Sequence, residues 1–141
     1  GGSAFDPAVE DALTDLASAD PFWAVRVAAL ETLGSVVGSG GRTSDFPVVF
    51  QEAALDANSN VRRAAIRLLG TRGDPALNPF FQERFRLDDS YRVQAEALTA
   101  IGQSGDRGQL PFLREALEVP SHQDVIRRAA EGAIEALSRS R

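Results

Sequence analysis

Residues 56–70 read DANSNVRRAAIRLLG: an Asp, four residues, a Val, and a Gly nine positions further on. The same skeleton stands in residues 20–34, DPFWAVRVAALETLG, and in residues 88–102, DDSYRVQAEALTAIG. Aligned on Val25, Val61 and Val93, the small and apolar positions superimpose: Ala29, Ala65 and Ala97; Leu30, Ile66 and Leu98; Leu33, Leu69 and Ile101; Gly34, Gly70 and Gly102. Apolar steps of four, one and three residues draw one face of a 3.6-residue period, so the spacing predicts a helix. The Gly just beyond the last apolar position predicts a left-handed C-cap that ends it. Ala at the centre of the face leaves room for a neighbouring backbone.

A second helix precedes each of these. PVVFQEAAL, PFFQERFRL and PFLREALEV begin at Pro47, Pro79 and Pro111, a repeat of 32 residues. Pro in a first turn loses no hydrogen bond and has its φ preset for the helix, and apolar residues such as Phe81 and Phe85 follow on one face. DPAVEDALTDLA, from Asp6, has the same form, with Asp6 as N-cap and Pro7 at the first helical position. The last second-helix, IRRAAEGAIEAL, fits two registers. Ile126 can be set on Val61, or Ala133, Ile134, Leu137 and Ser138 on Ala97, Leu98, Ile101 and Gly102. The second gives a longer final helix without a glycine stop, as expected of a capping unit.

Helix, turn, helix at a period of 32 to 36 residues predicts an all-α fold: an α-solenoid of about four helical hairpins, about eight helices, because one hairpin cannot bury its apolar face alone. The units are expected at about 4–38, 43–72, 75–103 and 107–139, within a single domain over 4–141. VVGSGGRTSD, TRGDPALN and QSGDRGQ are the Gly- and Asp-rich connections. At 141 residues the chain has room for one real core and not for a second catalytic domain. One Trp and one Tyr argue against a sheet-rich protein. The chain has no Met, hence no initiator, so Gly1–Ser3 reads as a scar or linker on a fragment of something larger. It has no Cys, which excludes disulfides and thiolate metal sites and leaves the compartment undetermined. A formal charge of −5 weighs against nucleic acid as a partner, since phosphate contacts need a basic stripe. Arg63 and Arg67, at i,i+4, read as a solvated helix face. No apolar run is long enough to span a bilayer, so no membrane partner is expected.

The sequence resembles the HEAT-repeat family. That family has a Pro in the first helix, an Asp in the turn and a Val-Arg pair in the second helix, and this chain has Pro47, Asp56, Val61 and Arg62 in that order. Asp20 with Val25-Arg26 repeats the pattern; the third unit keeps Asp88 and Val93 but has Gln94 in place of Arg. The resemblance implies a structural ladder of Asp20, Arg26, Asp56, Arg62 and Asp88, and a protein or peptide as partner. DPFWAVRVAALETLG, DDSYRVQAEALTAIG and VPSHQDVIRRAAEGAIEAL further resemble the C-terminal repeats of bacterial zinc aminopeptidases related to aminopeptidase N. An aromatic there precedes Val-Arg, and the last unit has S-x-x-D-V-x-R. This implies a non-catalytic C-terminal domain that packs on an upstream catalytic domain of the same chain and shapes peptide access. Zinc would belong to that parent and no cofactor to this chain. The alternative is a free-standing HEAT scaffold for a protein partner.

The residues themselves offer little chemistry. His122 is the one His, in a polar PSHQD turn near Asp124, and reads as a solvated or capping residue, since zinc needs three or four ligands. No H-E-x-x-H, G-x-S-x-G or G-x-G-x-x-G occurs. GSGGRT at 38–43 lacks the Lys and the strand of a phosphate loop and reads as a linker. Asp11 and Asp15 share an exposed helix face. No catalytic, cofactor or metal residue is expected. Trp23 and Tyr91 occupy the same repeat position, two before the Val. They form a candidate binding edge, with packing on the preceding hairpin as the plainer account.

Overall fold

The computed structural model describes residues 6–37 and 46–139. Among them are eight α-helices and no strand: α1 Pro7–Ala19, α2 Trp23–Val37, α3 Phe46–Ala53, α4 Ser59–Gly70, α5 Asn78–Leu87, α6 Tyr91–Gln103, α7 Leu110–Ala116 and α8 Val125–Arg139. Taken in pairs they are four helical hairpins, the all-α helical-repeat solenoid class that the period predicts. The chain divides into two compact units, Gly1–Leu68 and Leu69–Arg141, each described by itself below. The expected scar or linker at Gly1–Ser3 and the GSGGRT segment at 38–43 lie outside the described residues.

The helix starts follow from short-range hydrogen bonding. Asp6 accepts from the Ala8 N–H at 2.9 Å and Pro7 opens α1. Asp74 and Asp106 accept in the same way from Ala76 and Gly108, both at 2.9 Å. These two cap 3₁₀ turns, Pro75–Leu77 and Arg107–Gln109, that run straight into α5 and α7. A second set of Asp residues closes the turn inside three hairpins. Asp20, Asp56 and Asp88 accept from the N–H two residues on, at Phe22, Asn58 and Ser90.

The glycines do a different job from the one their position suggests. Gly34 and Gly102 lie inside α2 and α6, Gly70 is the last residue of α4, and none has a positive φ. The left-handed glycines are Gly73 and Gly105, three residues further on. What the repeated glycine provides is space. A methyl group on Gly102 would stand 2.7 Å from the Ala133 Cα, and one on Gly34 would stand 3.0 Å from the Leu68 Cδ2. The absent side chain lets the next second-helix approach closely, which is a packing requirement and no stop signal.

In the first unit Leu30, Phe50, Ala65 and Ile66 are fully buried; in the second, Val93, Ala97, Leu98, Ile101 and Leu113 are. Each fully buried Leu, Ile or Phe is worth roughly 1.5–3 kcal/mol. Ala133 lies against Gly102, and Ile126, Ala130 and Ala133 are buried at the spacing of Val93, Ala97 and Ala100. Of the two registers, the one that puts Ile126 at the Val position therefore describes the last hairpin.

Candidate functional site

In the first unit the turn of each hairpin brings an Asp to the foot of a second-helix Arg. Arg26 donates from Nε to Asp56 Oδ2 at 2.8 Å and from Nη2 to Asp56 Oδ1 at 2.9 Å, a bidentate pair joining the first hairpin to the second. Its remaining nitrogen, Nη1, donates to the Asp20 carbonyl at 2.7 Å. Arg62 repeats that last contact, donating from Nη1 to the Asp56 carbonyl at 2.9 Å. Burial pushes the Asp56 carboxyl up. The hydrogen bonds from Arg26 and the Asn58 N–H, with the charges of Arg26 and Arg62, outweigh it and hold the group below the ordinary carboxylate range. The hydrogen bond to Asp56 in turn holds Arg26 above its usual value.

The other ladder candidates differ in local detail. Arg62 belongs to the first unit and Asp88 to the second. Asp88 is buried and accepts from the Ser90 N–H. Gln94, in the place of an Arg, donates from Nε2 to the Phe85 carbonyl at 2.9 Å, so it fastens its own hairpin and does not extend a charged rung. In the last hairpin Arg127 donates from Nε to the Leu117 carbonyl at 3.3 Å. Asp20 accepts from the Phe22 N–H, and its negative charge adds to that of Asp56 in holding Arg26 above its usual value.

The two aromatics of the candidate edge have unlike surroundings. Tyr91 is half-buried, with its ring 5.9 Å from that of His122 and the Arg92 guanidinium 5.8 Å from its centre. It packs on the turn of the following hairpin, where the sequence suggested the preceding one. His122 opens the 3₁₀ turn His122–Asp124, in which Gln123 and Asp124 both adopt left-handed φ, 52° and 55°. The Ser121 Oγ accepts from the Ile126 N–H at 2.9 Å and ties this turn to α8. Trp23 is 45 % exposed, beside Phe22 at 70 %.

Sequence reading missed two features of the first unit. One is a groove of about 260 Å³ between α1 and α3, lined by Ala17, Ser18, Val49, Glu52, Ala53 and Asp56. The other is a set of exposed apolar side chains on the first hairpin. Val9 and Leu16, on one face of α1, and Val25, on α2, are exposed although large and hydrophobic. Comparing Val25 with its repeat equivalents is the signal for it, because Val25 is 36 % exposed where Val61 and Val93 are 0 %.

Among the described residues no group of three or more His, Asp or Glu side chains could hold a metal ion, and no helix is long and apolar enough to cross a membrane. No curated protein matches the sequence. The family model described as HEAT repeats matches residues 46–137, the span that holds the second, third and fourth hairpins. With the fold, the repeated Asp-turn and the bidentate Arg26 to Asp56 contact already in place, that match over more than half of the sequence means that the chain belongs to the HEAT-repeat family.

Proposed function

We propose that this chain is a non-catalytic HEAT-repeat scaffold that holds a protein or peptide partner. HEAT-repeat domains are generally non-catalytic and commonly mediate protein–protein interaction. The observation that carries the reading is the division of labour among side chains. The charged groups at repeat positions are engaged in caps and in the Arg26 to Asp56 contact, while large apolar side chains on the first hairpin stand in solvent. Contact surface is thus available where reactive groups are not. Affinity purification of the tagged chain from its source cells, followed by rebinding of each enriched polypeptide in purified form, tests this. One polypeptide is expected to rebind at stoichiometric ratio. If none does, the scaffold role is wrong.

A second reading makes the chain the C-terminal domain of an aminopeptidase-N-like zinc peptidase, packed on an upstream catalytic domain that holds the zinc. Its support is the likeness of the Trp23 and Tyr91 phrases and of the stretch from Ser121 to Arg127. Those residues also have local work: Ser121 accepts from Ile126, Arg127 holds Leu117, and Tyr91 packs on His122. A turn built this way needs no peptidase to account for it, so the scaffold reading stands first. An immunoblot of source-cell lysate decides between them. A band several times larger than 15.1 kDa, from a gene encoding H-E-x-x-H upstream, would favour the peptidase domain.

A further inference from the structure

Charge is segregated between the helices of the first unit. Its first helices hold acid only: α1 carries Glu10, Asp11 and Asp15, α3 carries Glu52, and neither has a basic residue. Its second helices hold Arg26, Arg62, Arg63 and Arg67 against a single acid, Glu31. The groove of about 260 Å³ lies on the acidic side, between α1 and α3.

The lining of that groove divides by chemistry. Ala17 and Ala53 are buried and Val49 is half-buried, so together they make an apolar floor. Ser18 turns its hydroxyl back onto α1, donating to the Thr14 carbonyl at 3.0 Å. Asp56 commits both carboxylate oxygens to Arg26 and the Asn58 N–H, so its charge is balanced within the fold. Glu52 is the exception. It is exposed, and among the described residues its carboxylate has no hydrogen-bond or ionic partner. Val48, Glu52 and Leu55 follow at i, i+4 and i+7, on one helical face, with Leu55 in the turn that continues α3. Val48 is 56 % exposed and Leu55 61 %. The free carboxylate therefore stands between an apolar floor on one side and two exposed apolar side chains on the other.

A cation on a hydrocarbon stem complements this arrangement. Its methylenes cover Ala17, Val49 and Ala53 while its charged head meets Glu52. A wholly apolar side chain would take Glu52 out of water without a partner, and an acidic one would oppose it. We propose that the groove between α1 and α3 receives a lysine or arginine side chain of a partner polypeptide, its head on Glu52 and its flanking apolar residues on Val48 and Leu55. The site deepens the interaction role proposed above and rests on it.

The probe is the peptide N-acetyl-Leu-Arg-Leu-amide, followed by backbone amide shifts of the isotope-labelled chain. It is titrated to about 10 mM, beyond the affinity that one exposed ion pair and a short apolar contact supply. Saturating shifts are expected at Ala17, Ser18, Val49, Glu52 and Ala53. The matched Leu-Gln-Leu peptide should bind about threefold or more weakly, the share of one exposed ion pair. Glu52→Gln should weaken Leu-Arg-Leu by the same factor and leave the midpoint of thermal unfolding within about 2 °C of the native chain. Glu131→Gln removes the same charge from an exposed position on α8 and should leave binding unchanged. Absence of shifts at the groove amides overturns the proposal. So does equal binding of the Leu-Gln-Leu peptide, which would make the groove merely apolar, and so does equal weakening by Glu131→Gln, which would make the attraction diffuse. A purified protein partner that saturating Leu-Arg-Leu does not displace would leave the scaffold role standing and refute this site.

Discussion

The first and last hairpins are built from one repeat yet finish it in opposite ways. On α2 the side that meets the next helix is covered and the opposite side is exposed with Val25, Ala28 and Thr32. On α8 the reverse holds. Ile126, Ala130, Ala133 and Leu137 are buried, and the exposed side carries Arg128, Glu131, Glu135 and Arg139. Glu131 and Glu135 occupy the positions of Leu98 and Gly102 in α6, so an apolar contact and a close-approach glycine have both been replaced by charge. The last hairpin is closed to further stacking by its chemistry, whereas the first retains the composition of an interior unit. A repeat is therefore terminated by the choice of residues on one face, and the backbone need not change.

That contrast can be broken most severely at the glycines. Gly102→Ala should cost about 2–3 kcal/mol, read by urea unfolding, because the new methyl group would stand 2.7 Å from the Ala133 Cα. Gly34→Ala meets only the tip of the Leu68 side chain and should cost less than about 1.5 kcal/mol. Equal losses would mean that the two crossings are equally tight. Next comes the Asp pair. Asp56→Ala should lower stability by roughly 1.5–3 kcal/mol, the range for a hydrogen bond to a charged group, whereas Asp20→Asn should lie within about 0.5 kcal/mol of the native chain.

The same pair predicts a pH dependence. Because the folded state holds the Asp56 carboxyl low, its contribution is present in full above the unfolded value of about 4 and is lost as pH falls through the folded value. Asp56→Asn should flatten that acid limb, read as the stability difference from the native chain across the acid range. A smaller effect is expected from the valines. Val93→Ala, in the core, should cost about 1–2 kcal/mol, and Val25→Ala under about 0.5 kcal/mol. The smallest change in stability should come from Glu131→Leu with Glu135→Ala, which restores an apolar face to α8. Its effect should appear in analytical ultracentrifugation as new concentration-dependent association.

Much of this fold is legible in the chain. The hairpins follow from apolar spacing and from Pro79 and Pro111 in first turns, and Asp6 caps α1 because its short side chain reaches the Ala8 N–H. The glycines were legible as a repeat but not in their purpose, since a residue without a side chain serves a left-handed cap and a tight helix crossing equally well. Only the position of Ala133 opposite Gly102 separates the two. The candidate edge was half legible. Trp23 and Tyr91 share a register, yet what each touches depends on the neighbouring turn, and His122 meets Tyr91 through a turn whose left-handed Gln123 and Asp124 no periodicity marks. The exposed face of the first hairpin escaped reading because its residues are ordinary core types. Exposure is a property of what lies beside them.

The glycine crossings also bear on how the protein would respond to pulling. Where backbone meets backbone, as at Gly102 and Ala133, there is no flexible atom to yield, and the pair of helices behaves as a stiff element. Where a methyl-tipped side chain forms the contact, as Leu68 does at Gly34, rotation about its own bonds absorbs small displacements. Of these two contacts, the glycine crossing of α2 with α4 should therefore be the more compliant and that of α6 with α8 the stiffer.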